Sequence, residues 1–151
     1  IACAVQALNV YYLPDFIQWK LEQGFKKVNM WPFGAGGISQ HFVYWPAHLN
    51  VKVLPKWFKE ACRAKYELWY PWWEANWELG IPEWHKGKVD YEQFRSAEYG
   101  IKRLDGILSF MESEDWSQRL PEMQEFLNLC DKQRGITFEE TFPEMKDIFN
   151  A

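Results

Sequence analysis

Hydrophobic positions divide this chain into a short apolar beginning and a longer stretch of helical stripes. Residues 2–8, Ala-Cys-Ala-Val-Gln-Ala-Leu, are apolar on both faces apart from one Gln, the pattern of a buried parallel strand. Leu13, Phe16, Ile17 and Leu21 then recur at helical spacing, with Pro14 and Asp15 suited to a first turn. Gly24 suits the position after a helix end. Residues 25–31, Phe-Lys-Lys-Val-Asn-Met-Trp, predict a second strand, parallel to the first because a helical crossover separates them. The expected nucleus is therefore a strand-helix-strand unit.

Residues 32–48 show little periodicity and predict a long loop leaving the carboxyl end of a strand. Ligands of α/β proteins gather at that edge, and a loop of this length is usually functional or mobile. Gly34-Ala-Gly-Gly37 lacks the spacing of a phosphate-binding loop. Residues 49–53 alternate and predict a short edge strand. After Leu54-Pro55, a stripe of Trp57, Phe58, Ala61, Cys62, Leu68 and Trp69 predicts a helix, with Lys56, Lys59, Glu60, Arg63 and Glu67 mostly on its other side. Pro71 is expected to end it near Tyr70.

A third helix is expected from the Asp90-x-x-Gln93 box, carried by Phe94, Ala97, Ile101, Leu104, Leu108 and Met111. A fourth runs from Leu120 or Pro121 to Gly135, with Glu122 and Glu125 early and Lys132 and Arg134 late. These two are expected to pair as an antiparallel hairpin. Thr137-x-x-Glu140 predicts one more capped helix. The fold class is α/β: a parallel strand-helix-strand unit in residues 1–53, then a mainly helical region in residues 54–151.

Composition changes the picture in one respect. Ten Trp in 151 residues are unusual, and five of them crowd the segment 69–84: Trp69, the two of Tyr70-Pro-Trp-Trp73, Trp77 and Trp84. The cluster is either an aromatic platform for a ring-bearing ligand or a packing face. Net charge is −4, and it is uneven: residues 1–75 carry 8 basic and 5 acidic side chains, residues 76–151 carry 9 and 16. The absence of a basic stripe argues against binding duplex nucleic acid. No run of about 18 apolar residues predicts a membrane span.

Cys3, Cys62 and Cys130 are widely spaced and odd in number, which suits a reducing cytoplasm and gives neither disulfide nor zinc spacing. Cys62 falls in a helical stripe and is expected to be a packed thiol. His41, His48 and His85 form no metal-ligand pair, and no Ser-elbow or H-E-x-x-H motif is present. Asp105 and Asp131 sit in apolar neighbourhoods, where Arg103 or Arg134 would pair them. Residue chemistry alone predicts no reaction and no metal site.

Asn9-Val-Tyr-Tyr-Leu-Pro14, Val28-Asn-Met-Trp-Pro-Phe33, Leu54-Pro55-Lys56, Asp131-Lys-Gln-Arg-Gly135 and Phe142-Pro-Glu144 together resemble one family. It is the carboxyl-terminal part of the twitch domain-containing radical S-adenosylmethionine (radical SAM) proteins of phage and bacterial genomes. The resemblance implies the end of a partial radical SAM barrel, a partial TIM-type barrel. It also implies S-adenosylmethionine and a [4Fe–4S] cluster in the parent protein. It places Asn9 by the cofactor's ribose, and Asn29, Met30, Trp31 and Pro32 by its adenine. The C-x-x-x-C-x-x-C cluster motif is absent, as are the auxiliary-cluster cysteines. The expectation is thus a fragment that begins in mid-strand at Ile1, whose partner is a missing amino-terminal barrel portion and whose substrate is unknown. The alternative is a non-catalytic binding module that uses the Trp-rich segment.

Overall fold

The computed structural model describes residues 2–24, 39–80 and 96–150. The first strand, β1 (Ala2–Val5), is shorter than its apolar run, because Asn9 folds the chain back into a turn. A 3₁₀ turn over Val10–Tyr12 leads into α1 (Leu13–Glu22), which buries Leu13, Ile17 and Leu21. Gly24 follows with φ 73°, a left-handed conformation that glycine adopts without a Cβ penalty. The strand expected at 25–31 lies outside the described residues.

The partner of β1 is β2 (Ser39–Phe42), and the two are parallel, pairing Ala2 with Ser39 and Val5 with Phe42. This corrects the reading of residues 32–48 as loop. Ser-Gln-His-Phe has no alternating pattern, and its pairing rests on backbone hydrogen bonds that side-chain periodicity does not encode. The ladder continues one step further, where Val43 N–H donates to the Val5 carbonyl at 2.9 Å. One face of the pair carries buried Val5 and half-buried Phe42, while its other face carries exposed Ala4 and His41.

Residues 49–53 are not an edge strand. They lie in two 3₁₀ turns, Ala47–Leu49 and Val51–Val53, and Asn50 Oδ1 accepts from Lys52 N–H at 3.0 Å to set the second. Val51 and Val53 are buried, but so are Asn50 and Lys52, so the alternation marks neither a pleat nor a division between core and solvent.

The next helix, α2 (Lys56–Asn76), runs through Pro71 instead of ending there. Pro71 removes the donor to the carbonyl four residues back, but Glu67 and Pro71 are both exposed, so water can serve that carbonyl. Burial of Trp69 and Trp73 holds the extra turns in place.

α3 (Ala97–Glu112) starts at Ser96, whose side chain accepts from Tyr99 N–H; the box at 90–93 lies outside the described residues. Its main partner is α2, not the helix after it. Trp73 meets Ala97 and Gly100, Tyr70 meets Asp105 and Arg63 meets Glu112, so the two helices run antiparallel. The expected pairing of the third and fourth helices as a hairpin is therefore corrected. Aromatic contacts along α2 outweighed the narrow apolar seam that suggested it.

α4 (Leu120–Arg134) ends at Gly135 in the left-handed conformation, and it packs on the turn at Ala47–Leu49. α5 (Phe138–Thr141) carries the expected capping box of Thr137 and Glu140. One hydrophobic core runs from Val5 to Ile148 and takes in side chains from every helix. Among the described residues, no helix is long and apolar enough to cross a membrane.

Candidate functional site

Asn9 lies in the turn that follows β1, four residues after its last residue, Val5. Its Oδ1 accepts from Gln6 N–H and its Nδ2 donates to the Ala4 carbonyl, both at 2.9 Å. Both ends of the amide therefore close the turn that leaves the strand. Asn29, Met30, Trp31 and Pro32 lie outside the described residues.

The carboxyl edge of β2 carries more. The chain leaves it through Tyr44 and Trp45, which are 57% and 80% exposed, and through a cis Trp45–Pro46 bond. Phe42 packs on Phe110 of α3 with ring centroids 4.1 Å apart, and Tyr44 meets the same ring edge-on at 5.7 Å. The result is an aromatic wall, partly open to solvent, at the edge where parallel strands present ligand sites.

Behind this wall lie two buried lysines. The Lys52 ammonium lies over Phe110, 4.5 Å from the ring centre, and 5.2 Å from the Trp116 ring, and it pairs with Glu114. Trp116 Nε1–H donates to the other Glu114 oxygen at 3.0 Å. Lys59 Nζ donates to the backbone carbonyls of Lys52 and Glu114, each at 2.9 Å. Burial pushes the Lys59 ammonium below its ordinary value, opposed by the nearby Asp115 and Glu112 carboxylates. The helical stripe predicts Lys59 on the solvent side of α2; it is instead buried and ties two loops together.

Neither lysine was legible as a site residue. Lys52 between Val51 and Val53 was the one available signal, a charge inside an apolar alternation. Its partner is 62 positions away in sequence.

The Trp-rich segment is largely spent on packing. Trp69 and Trp73 are 8% and 3% exposed and stack 5.9 Å apart, with Trp72 against Trp69 at 5.6 Å. Trp69 Nε1–H donates to Gln18 and Trp73 Nε1–H to the Ala97 carbonyl, so both buried indoles are satisfied. Trp77 packs half-buried on the core, and Trp84 lies outside the described residues.

Asp105 and Asp131 have partners other than the arginines expected. Asp105 accepts from the Tyr70 hydroxyl at 2.7 Å, and Asp131 accepts from Phe138 N–H at 2.9 Å. His41 is exposed, and His48 lies 5.2 Å from the Phe126 ring. Among the described residues, no group of three or more His, Cys, Asp or Glu could hold a metal ion.

Cys62 is fully buried in the α2 stripe, and burial pushes its thiol up to about 12. It is therefore inert in the native state. Iodoacetamide at about pH 8 is expected to modify half-buried Cys130 while leaving Cys62 intact until the protein unfolds. Peptide mapping checks this, and modification of Cys62 in folded protein would contradict it.

Several carboxylates hold below their ordinary range. Glu114 is lowered by the hydrogen bond from Lys52 and then by that from Trp116. Glu144 is lowered by the Tyr12 hydroxyl, and Glu140 by Thr137 N–H. Each is lower in the folded than in the unfolded chain, where the ordinary value is 4.5. The stability they add is thus present above that pH and lost as pH falls through the folded values. Denaturant midpoints are expected to be level above about pH 5 and to decline below it; a midpoint that rose on acidification would contradict the assignment.

Compared with family models, curated proteins and solved structures, the chain matches none.

Proposed function

We propose that this chain is the carboxyl-terminal part of a radical SAM enzyme of the twitch-domain type, contributing part of the cofactor and substrate wall. It acts together with an amino-terminal barrel portion that carries the iron-sulfur chemistry. The observation that carries this reading is the state of the sheet. Parallel sheets are normally covered on both faces. Here two parallel strands, the only ones among the described residues, cover one face with the core and leave Ala4 and His41 exposed on the other. Such a pair fits the closing strands of a barrel whose remaining strands belong to the rest of the protein.

The residues of this chain do not fit the cluster. Cys62 is sealed in the core, and Cys3 and Cys130 lie on β1 and α4, in different elements. The cluster and its chemistry therefore fall to the amino-terminal portion. The contribution of this chain is positional, as the resemblance implies: Asn9, in the turn after β1, meets the ribose, and Asn29, Met30, Trp31 and Pro32 meet the adenine. A reducing cytoplasm is the compartment such chemistry requires.

Among the described residues of the Trp-rich segment, the buried rings of Trp69 and Trp73 give no support to a separate binding module there.

The test uses the product of the whole reading frame, purified without oxygen and supplied with iron, sulfide and a reductant. Cleavage of S-adenosylmethionine to 5′-deoxyadenosine is expected. A protein that takes up no cluster and cleaves nothing would overturn the reading.

A further inference from the structure

We propose that Lys52 and Trp116 form a carboxylate-recognition subsite, which the chain's own Glu114 now occupies and which a small carboxylic acid with an aromatic body takes over. This goes beyond the reading above and stands whether or not a cluster domain precedes the chain.

Two donors from separate segments converge on the two oxygens of one carboxylate: the Lys52 ammonium on Oε1 and Trp116 Nε1–H on Oε2 at 3.0 Å. That arrangement selects a planar, two-oxygen anion over a single-point acceptor. The donors are fixed. Lys52 is buried in its 3₁₀ turn, its carbonyl accepts both Lys59 Nζ at 2.9 Å and Trp116 N–H at 3.1 Å, and the Phe110 and Trp116 rings flank its ammonium. The occupant is not fixed in the same way. Lys59 holds the Glu114 backbone, yet the Glu114 side chain is 54% exposed against 10% for Lys52. A rotation about its own side-chain bonds would release the cradle to solvent without moving the fold.

Neighbouring acids do not compete for the place. Arg63 engages Glu112 through Nε and Nη2 at 2.8 and 2.6 Å, and Asp115 accepts from Ser117 N–H at 2.9 Å. Lys59 spends its ammonium on two carbonyls. Among the described residues, Glu114 is the carboxylate that pairs with Lys52, and its lowered pKa agrees with that duty.

The wall beside the cradle supplies the second half of the specificity. Phe110 contacts both the Lys52 ammonium and the rings of Phe42 and Tyr44, and Tyr44 and Trp45 stand exposed next to them. A ligand whose carboxylate replaces that of Glu114 would lay an apolar ring along this surface. Burial of the ring on the wall would favour an aromatic acid over a short aliphatic one.

The experiment is a titration of the full chain with phenylacetate, followed by the indole N–H resonance of Trp116, which a Trp116→Phe variant identifies. Saturable movement of that resonance is expected. Glu114→Ala should bind about tenfold more tightly, because the internal competitor is gone. Lys52→Met in the Glu114→Ala background should abolish binding, while circular dichroism reports whether that double variant is folded. If it is not, Glu114→Gln takes its place: the amide still fills the cradle but lacks the charge, so affinity should again exceed that of the unaltered protein. Acetate should bind more weakly than phenylacetate, and benzyl alcohol, which lacks the carboxylate, should leave the resonance unmoved. Equal affinity in the Glu114 variants and the unaltered protein would overturn the proposal. So would an equal response to benzyl alcohol, or no response to phenylacetate in Glu114→Ala.

Discussion

Replacing Trp73 with alanine is expected to cost about 3–5 kcal/mol of stability, the range for a large aromatic removed from a packed core. Trp73 is 3% exposed, stacks on Trp69, and satisfies the Ala97 carbonyl with its indole N–H. It also explains a glycine that the helical pattern makes awkward. A Cβ built on Gly100 would lie 2.3 Å from Trp73 Cζ2, a position already filled by a rigid ring. In an exposed helix, Gly→Ala gains about 1 kcal/mol from propensity. Here the overpacking penalty of about 1–3 kcal/mol or more outweighs it, so Gly100→Ala is expected to destabilise. The sign should reverse once Trp73 is alanine, because the space opens and propensity alone remains. A double-mutant cycle measured by denaturant unfolding checks this; additive effects would mean that the two residues are not in contact.

The second large effect is expected at Lys59. Lys59→Met keeps a similar length of aliphatic chain but takes the Lys59 donor from the Glu114 carbonyl and leaves the Lys52 carbonyl with Trp116 N–H alone. Each buried acceptor left unmatched costs about 1–3 kcal/mol, partly offset because methionine carries no charge to desolvate. With one acceptor unmatched, a net loss of about 1–3 kcal/mol follows. The loss should be local in character: protection from hydrogen exchange should fall first at Trp116 N–H, which donates to the Lys52 carbonyl. Unchanged stability would show that water replaces the ammonium without cost.

These two sites illustrate what the sequence could and could not disclose. α1, α4, the left-handed Gly135 and the Thr137 capping box were all legible, because each is written in residues within a few positions of one another. The packed state of Cys62 was legible for the same reason: it lies in a helical stripe. β2 was not, since four residues of mixed polarity take their strand conformation from the backbone of β1. The two turns at residues 47–53 hid behind an alternation that follows no strand face, since Asn50 and Lys52 are buried along with Val51 and Val53.

The continuation of α2 past Pro71 depended on Trp69 and Trp73 finding partners on α1 and α3. The site followed the same division. Asn9 was singled out only by the resemblance, and its role in closing the turn after β1 needed three dimensions. Lys52, Lys59, Glu114 and Trp116 come together across dozens of positions, through hydrogen bonds that join the Val51–Val53 turn, α2 and the segment after α3.

On the proposed function, this chain closes a larger barrel whose cluster-bearing part lies elsewhere in the same protein. The most direct measurement is the nucleotide sequence of the reading frame ahead of the codon for Ile1. The account predicts an uninterrupted frame that encodes Cys-x-x-x-Cys-x-x-Cys about 100–200 residues before Ile1, a distance set by ordinary domain size. A frame that starts close to Ile1, or that runs through that distance without the three cysteines, would contradict it.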